Sequence, residues 1–122
     1  MPRLNPGYSE DMAEHYYENS HLAAFADISE GAPELAKKFF DYYGAVFAPG
    51  ALTAREKALI ALAVAHSVQC PYCIDAYTTE SLEKGADLEQ MTEAVHVACA
   101  IRGGASLVHG MQMKAHAKKA GM

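Results

Sequence analysis

The chain has 122 residues, 51% of them hydrophobic, and a formal net charge of −5 at pH 7, which suits one domain, residues 1–122, with a modest core. The acidic balance without a basic stripe disfavours nucleic acid and anionic membranes as partners, and the longest apolar run, "ALIALAVA", is too short to span a bilayer. Since the N-terminal sequence has no apolar stretch like that of a signal peptide, we expect a cytoplasmic protein whose thiols are kept reduced.

The N-terminal third predicts a tail, a weak helix and one strong amphipathic helix. Residues 1–8 are expected to form a loose tail, followed by a weak helical stretch around Met12 and Tyr16. Pro33 suits the first turn of a helix, and apolar residues then recur at helical spacing up to Phe47. The aromatic residues of this helix are expected in a core or an interface.

Two further helices follow from capping signals. Thr53 and Glu56 have the spacing of a capping box. The helix behind them, through about Val68, is apolar nearly all round and is expected to be buried. Pro71 suits the first turn of the next helix, and Gly85 is expected to end it.

The C-terminal third predicts two more helices. Asp87 and Gln90 repeat the capping logic ahead of an amphipathic helix, which Gly103 and Gly104 are expected to interrupt. A last helix is expected from Ala105 to about Lys119, with its inward face formed by Leu107, Val108 and Met111. No stretch indicates a strand, so the prediction is an all-α fold, a bundle of about six helices without a sheet.

The segment "QCPYCIDAY" contains the candidate chemistry. Cys70 and Cys73 are three residues apart, which puts both on one face at the start of a helix, within disulfide reach. Free amide groups and the helix dipole stabilise a thiolate there. Such thiolates attack peroxides and disulfides, and a neighbouring cysteine resolves the product. On this ground alone Cys70, which lies nearer the amides, is favoured as the nucleophile.

The cysteine pair also fits a different fold, a metal site or a packing role. The letters Cys-Pro-Tyr-Cys occur in glutaredoxins, but there a strand precedes them, whereas here a capped Ala-rich helix does. A zinc site needs four ligands, and only Cys99 and scattered histidines are available as further ligands. Two buried cysteines that only pack are the third alternative. Cys99 itself is expected to be a small buried residue, with a third redox thiol as the alternative.

The order of these features resembles the carboxymuconolactone decarboxylase superfamily, in its alkylhydroperoxidase D-like branch. The resemblance covers residues 50–104: a capped apolar helix, Cys-x-x-Cys at the next helix start, a helix ended by glycine, and a long amphipathic helix. The segment "EAVHVACAIRGGASLVHGMQM" is similar to a narrower subgroup, peroxidase-like proteins associated with arsenosugar biosynthesis.

The resemblance implies a helical bundle that assembles into trimers or hexamers, with no bound cofactor and no metal. It implies that Cys73 is the peroxidatic cysteine and Cys70 the resolving one. The substrate would be a small peroxide or a partner disulfide, and an external dithiol would supply the electrons. The decarboxylase that gives the superfamily its name lacks this cysteine pair, so lactone decarboxylation is disfavoured. A dithiol module that binds a soft metal ion or arsenite is the alternative from another functional class.

Two positions depart from the family pattern. The family has a glutamate about twelve residues before the first cysteine and a histidine four after the second, which relay protons. These positions hold Ala58 and Tyr77 here, and a phenol is a poor base at pH 7. His66, one turn before the pair, is a candidate substitute base, or else a histidine bonded to a backbone carbonyl. The sequence therefore predicts a thiol oxidoreductase with weakened peroxidase activity and the site residues Cys73, Cys70, Tyr77 and His66.

Overall fold

The computed structural model describes Ser20 and residues 24–121. In that part the chain is entirely helical, which confirms the all-α prediction, with five helices against the expected total of about six. A 3-10 helix, Phe25–Gly31, precedes α1 (Pro33–Phe47), α2 (Ala54–Ser67), α3 (Pro71–Glu83) and α4 (Leu88–Lys119). The predicted tail, residues 1–8, and the weak helical stretch around Met12 and Tyr16 lie outside the described residues.

Local hydrogen bonds set the helix ends as the sequence predicts. Thr53 Oγ1 accepts the Glu56 amide at 3.1 Å, and Glu56 Oε1 accepts the Thr53 amide at 2.9 Å, which completes a capping box. Asp87 and Gln90 form the same reciprocal pair at the start of α4, at 2.8 and 3.1 Å. Just beyond α3, Gly85 has a φ of 90°, which only glycine adopts without strain.

The glycine pair does not interrupt α4, which corrects the prediction of two separate helices. Gly103 and Gly104 lie within one continuous helix of 32 residues. A mid-helix glycine costs only about 1 kcal/mol relative to alanine, which the good helix formers around the pair can offset. Near this point Arg102 donates a hydrogen bond to the carbonyl of Ser67, the last residue of α2, so α4 is tied to α2 beside its weakest segment.

The core lies where α2 packs against α3 and α4. Leu62, Ala86 and Met91 form a buried cluster, against which Leu59 and Tyr77 pack. This core is small, and no described helix has the length and apolar character needed to cross a membrane.

Much of the expected inward surface lies open in the single chain. Leu107, Val108 and Met111 were expected inward on the last helix but are 81%, 65% and 59% exposed. The reason is length: at 1.5 Å per residue α4 extends about 48 Å, against about 21 Å for α2. Because Arg102 already reaches the end of α2, the part of α4 beyond it passes α2 and finds no helix to cover it within the described chain.

Two further predictions of burial were wrong for the same chain. Helix α2 is not buried all round: Ile60 and Val64 are half exposed, because only one of its faces meets α3 and α4. Cys99 is exposed although its neighbour Ala98 is buried, since successive helical residues point about 100° apart.

Candidate redox site

The cysteine pair lies at the start of α3. Cys70 is the N-cap residue, and its Sγ accepts the backbone N–H of Cys73 at 3.3 Å. Pro71 takes the first helical position, where its missing N–H would have had no partner in the helix. Both thiols are free and half-buried. The pair therefore lies where a helix start can stabilise negative charge on sulfur.

A tight turn holds the pair against the end of α2. Gln69 has a φ of 56°, in the left-handed region that few residues other than glycine adopt. The Cys70 amide then donates to the carbonyl of Ala65 at 3.0 Å. This bond fixes the first cysteine one turn from the C-terminal end of α2.

The two thiols differ in their electrostatics. Burial raises the pKa of Cys73 to about 11, and a hydrogen bond to Cys70 and the charge of Cys70 raise it further, while a backbone hydrogen bond opposes the shift. The ordinary value is about 8.5. At pH 7 only about one Cys73 thiol in 10,000 is then ionised. The amide donor at the helix start points at Cys70, so the helix itself gives Cys73 little help.

Two clefts meet at Cys73. The first, here the α2 cleft, has a volume of about 510 Å³ and is lined by Tyr43, Val46, Phe47, Leu52, Lys57, Ile60, Ala61, Val64, Ala65, Val68, Cys73 and Tyr77. The second, here the α3 cleft, has a volume of about 470 Å³ and is lined by Phe25, Phe40, Tyr43, Cys70, Tyr72, Cys73, Ala76 and Tyr77. Cys73 thus opens onto both clefts, and Cys70 onto the α3 cleft.

Aromatic rings form a continuous wall from the 3-10 helix to α3. Successive ring centroids lie 4.9 to 5.6 Å apart, within the usual range for aromatic pairs, in the order Phe25, Phe40, Phe39, Tyr43, Phe47 and Tyr77. The last pair, Phe47 and Tyr77, is stacked at 5.2 Å. This wall gives the thiols a largely apolar surround.

The structure places the two relay positions differently. Tyr77, one helical turn after Cys73, lines both clefts with it. Ala58 is 1% exposed and lies one turn before Leu62, a member of the cluster against which Tyr77 packs. Both positions therefore face the same region of the core, but neither side chain is a base at neutral pH.

His66 is held by the backbone. Its Nδ1 lies 2.8 Å from the carbonyl oxygen of Leu62, a bond that requires the proton on Nδ1. The ring lines neither of the two clefts. This geometry favours a histidine bonded to a carbonyl over a base for Cys73.

A family model for the carboxymuconolactone decarboxylase family matches residues 33–120. The chain belongs to this family. The matched region includes α1 through α4 and therefore both cysteines and both clefts.

Relatives agree with this assignment. A protein of Paracoccus denitrificans, described as uncharacterized protein 4 in the cox locus, is 41% identical over 87 residues, which are 71% of this chain and 78% of that protein. A crystal structure from Methanobacterium thermoautotrophicum has a TM-score of 0.68 at 35% identity, covering 70% of this chain and 97% of the other. The apo structure of a carboxymuconolactone decarboxylase family protein from Legionella pneumophila has a TM-score of 0.62 at 31% identity, covering 75% and 87%.

Two functional candidates on this family scaffold were missed by sequence reasoning. Tyr43 was expected in a core or interface but lines both clefts with Cys73. Burial raises its pKa, and the charges of Cys73, Cys70 and Glu80 add to the shift. Lys57 lines the α2 cleft. The helical period of α1 and α2 marked one apolar face on each helix, but not which of them would meet the cysteines.

The part of the chain that the structure describes offers no group of three or more His, Cys, Asp or Glu side chains that could hold a metal ion. Cys99 lines neither cleft and lies on the exposed side of α4. In this family member the described site therefore consists of two thiols in an aromatic surround.

Proposed function

We propose that the protein is a thiol-dependent oxidoreductase that cycles Cys70 and Cys73 between a dithiol and a disulfide. Its substrates are small peroxides or the disulfide of a partner. The observation that carries this proposal is the pair at the start of α3, with Cys70 Sγ 3.3 Å from the Cys73 amide and both thiols open to clefts. Neither step requires a bound cofactor.

The peroxide reaction has two steps. The Cys73 thiolate attacks one peroxide oxygen, the O–O bond breaks, and the products are a Cys73 sulfenic acid and an alkoxide that takes up a proton. The Cys70 thiol then displaces water from the sulfenic acid and forms the Cys70–Cys73 disulfide. Two thiols thereby supply the two electrons that reduce the hydroperoxide to an alcohol and water.

The site supports this chemistry at a low rate near pH 7. The first step needs a thiolate, and the raised pKa of Cys73 keeps it protonated. Tyr77 is the titratable side chain one turn away, but a phenol cannot take the proton at this pH. We infer that the protein is a weak peroxidase whose rate rises with pH.

An external dithiol completes the cycle. It attacks the disulfide, forms a mixed disulfide, and leaves as its own disulfide when its second thiol attacks. Cys70 opens onto the α3 cleft, whereas the α2 cleft reaches Cys73 alone of the pair. The peroxide and the reductant can therefore approach the pair from different sides.

Dithiothreitol-dependent consumption of hydrogen peroxide tests the proposal. Wild type should turn over, Cys73→Ser should lose activity, and Cys70→Ser should stop after one oxidation because nothing resolves the sulfenic acid. Cys99→Ser is the matched control, since Cys99 lies outside both clefts, and should keep the wild-type rate. Equal activity in all four proteins would contradict the proposal. Stoichiometric arsenite or zinc binding with inert thiols would favour the dithiol-binding alternative.

We also propose that the chain forms a homo-oligomer, a trimer or hexamer. The open faces of α2 and of the C-terminal half of α4 leave several large apolar side chains exposed, including Ile60, Val64, Leu107, Val108 and Met111. Such contiguous apolar surface is typical of protein interfaces. A second copy packed along the part of α4 that passes α2 would cover it.

A further inference from the structure

The α2 cleft has an apolar floor with a single charged group near one end. Its floor is a stripe at helical spacing along α2: Lys57, Ile60, Ala61, Val64, Ala65 and Val68. Lys57 lies in the first turn of α2. Ala65 lies at the other end, where its carbonyl binds the Cys70 amide. Of the described residues that line this cleft, Lys57 alone carries a formal charge.

The ammonium group of Lys57 is held in place. Its Nζ donates to the carbonyl oxygens of Val46 at 2.7 Å and Ala48 at 2.6 Å, at the C-terminal end of α1. A lysine has three N–H donors, so one donor is left for a ligand. A fixed cation at the end of an apolar cleft is suited to a carboxylate, with which it forms a charge-assisted hydrogen bond.

The dimensions of the cleft set the size of the ligand. From Lys57 to Ala65 the helix rises about 12 Å, and an extended chain advances about 1.2 Å per bond. About ten bonds therefore separate the cation from the cysteine pair. The volume of about 510 Å³ lies in the range of about 300–1,000 Å³ that is usual for small-molecule sites. A second carboxylate on the ligand would meet apolar side chains, where an unpaired charge is unfavourable.

We propose that the α2 cleft binds hydroperoxides of medium-chain aliphatic monocarboxylates, with the carboxylate at Lys57 Nζ and the hydroperoxide at Cys73 Sγ. The redox step rests on the proposed function: the two thiols lose two electrons, and the hydroperoxide leaves as the hydroxy acid with one water. The binding step does not depend on that chemistry and is tested separately.

Calorimetry of the reduced protein with three unreactive probes tests the binding step. Decanoate should bind about tenfold more tightly than 1-decanol, the gain expected from one charge-assisted hydrogen bond. Decanedioate should bind more weakly than decanoate, because its second carboxylate has no partner. This comparison needs only wild type. Equal affinity for decanoate and 1-decanol, no binding of either, or tighter binding of decanedioate would overturn the proposal.

Variants locate the subsite. Lys57→Met should abolish the preference for decanoate over 1-decanol, and Lys57→Arg, which keeps the charge, should retain it. Lys37→Met is the matched control, because Lys37 is exposed on α1 and pairs with Asp41 instead. A preference that survives Lys57→Met in a folded protein would place the carboxylate elsewhere.

The redox step is tested apart from binding. A hydroperoxy fatty acid should oxidise the thiols faster than its methyl ester in wild type and at equal rates in Lys57→Met. Oxidation by both at one rate in wild type would overturn the cleft assignment and leave the thiol chemistry standing. Selective decanoate binding with no oxidation by any peroxide would overturn the thiol chemistry and leave the carboxylate subsite standing.

Discussion

Restoring a base beside Cys73 should accelerate its oxidation. Tyr77→His places an imidazole one turn from Cys73, with the Ala58→Glu carboxylate available to hold it from the facing region of α2. An opposite charge within a few ångströms lowers a pKa by about 1–3 units. Starting from a pKa of about 11, the thiolate fraction at pH 7 would then rise about 10- to 1,000-fold. This range overlaps the typical gain from general-base assistance, about 10²–10⁴-fold.

The structure also limits the gain. Tyr77 stacks on Phe47 at 5.2 Å, and loss of such a ring pair costs about 0.5–1.5 kcal/mol. Ala58 is 1% exposed, so a carboxylate introduced there without its imidazole is destabilising. We therefore expect Tyr77→His alone to accelerate the reaction, Ala58→Glu alone not to, and the double variant to exceed both.

The assay is stopped-flow loss of the Cys73 thiol with hydrogen peroxide at pH 7, on variants whose fold is checked by circular dichroism. Tyr77→Phe is the matched control, since it keeps the ring of the stack and supplies no base, and it should not accelerate the reaction. An unchanged or slower rate in a folded double variant would refute the view that a missing base limits this site.

Three further predictions concern pH dependence, the glycine pair and assembly. Because the pKa of Cys73 is raised to about 11, its alkylation by iodoacetamide should quicken about tenfold per pH unit from pH 7 to 10; the same proton stays bound in the folded chain but leaves the unfolded chain above about pH 8.5, so stability should fall as pH rises from there through 11. A rate that levels off near pH 8 would contradict this shift. Gly103→Ala and Gly104→Ala should each raise the free energy of unfolding by about 0.5–1 kcal/mol in urea titrations, because nothing lies within 4 Å of an added Cβ; destabilisation would show that a partner chain approaches there. Light scattering at micromolar concentration should give at least three subunits, and a monomer would contradict the proposed assembly.

Signals within a few residues predicted most of the described fold. The two capping boxes and the αL glycine at Gly85 depend on local hydrogen bonds and a local dihedral angle, and all three are present. The cysteine pair was placed at a helix start because Pro71 favours the first turn, and it lies there. Propensity misled at the glycine pair, where the surrounding helix formers outweigh two glycines.

Burial was harder to predict because it depends on which faces meet. An apolar stripe marks a face that avoids water, but it does not say whether the same chain or another copy covers it. Val108 on α4 was expected inward and is open here, because α4 is more than twice as long as α2. For the same reason Lys57 and Tyr43 were not identified as cleft residues: their positions beside Cys73 depend on how α1 packs on α2.

The Cys70–Cys73 cycle is tested most directly by thiol counting, intact mass and peptide mapping of one sample before and after mild peroxide. We expect three free thiols to become one, with a loss of two hydrogens in mass, a peptide link between Cys70 and Cys73, and full recovery with dithiothreitol. A link that involves Cys99, or three thiols that survive peroxide unchanged, would contradict the proposed cycle.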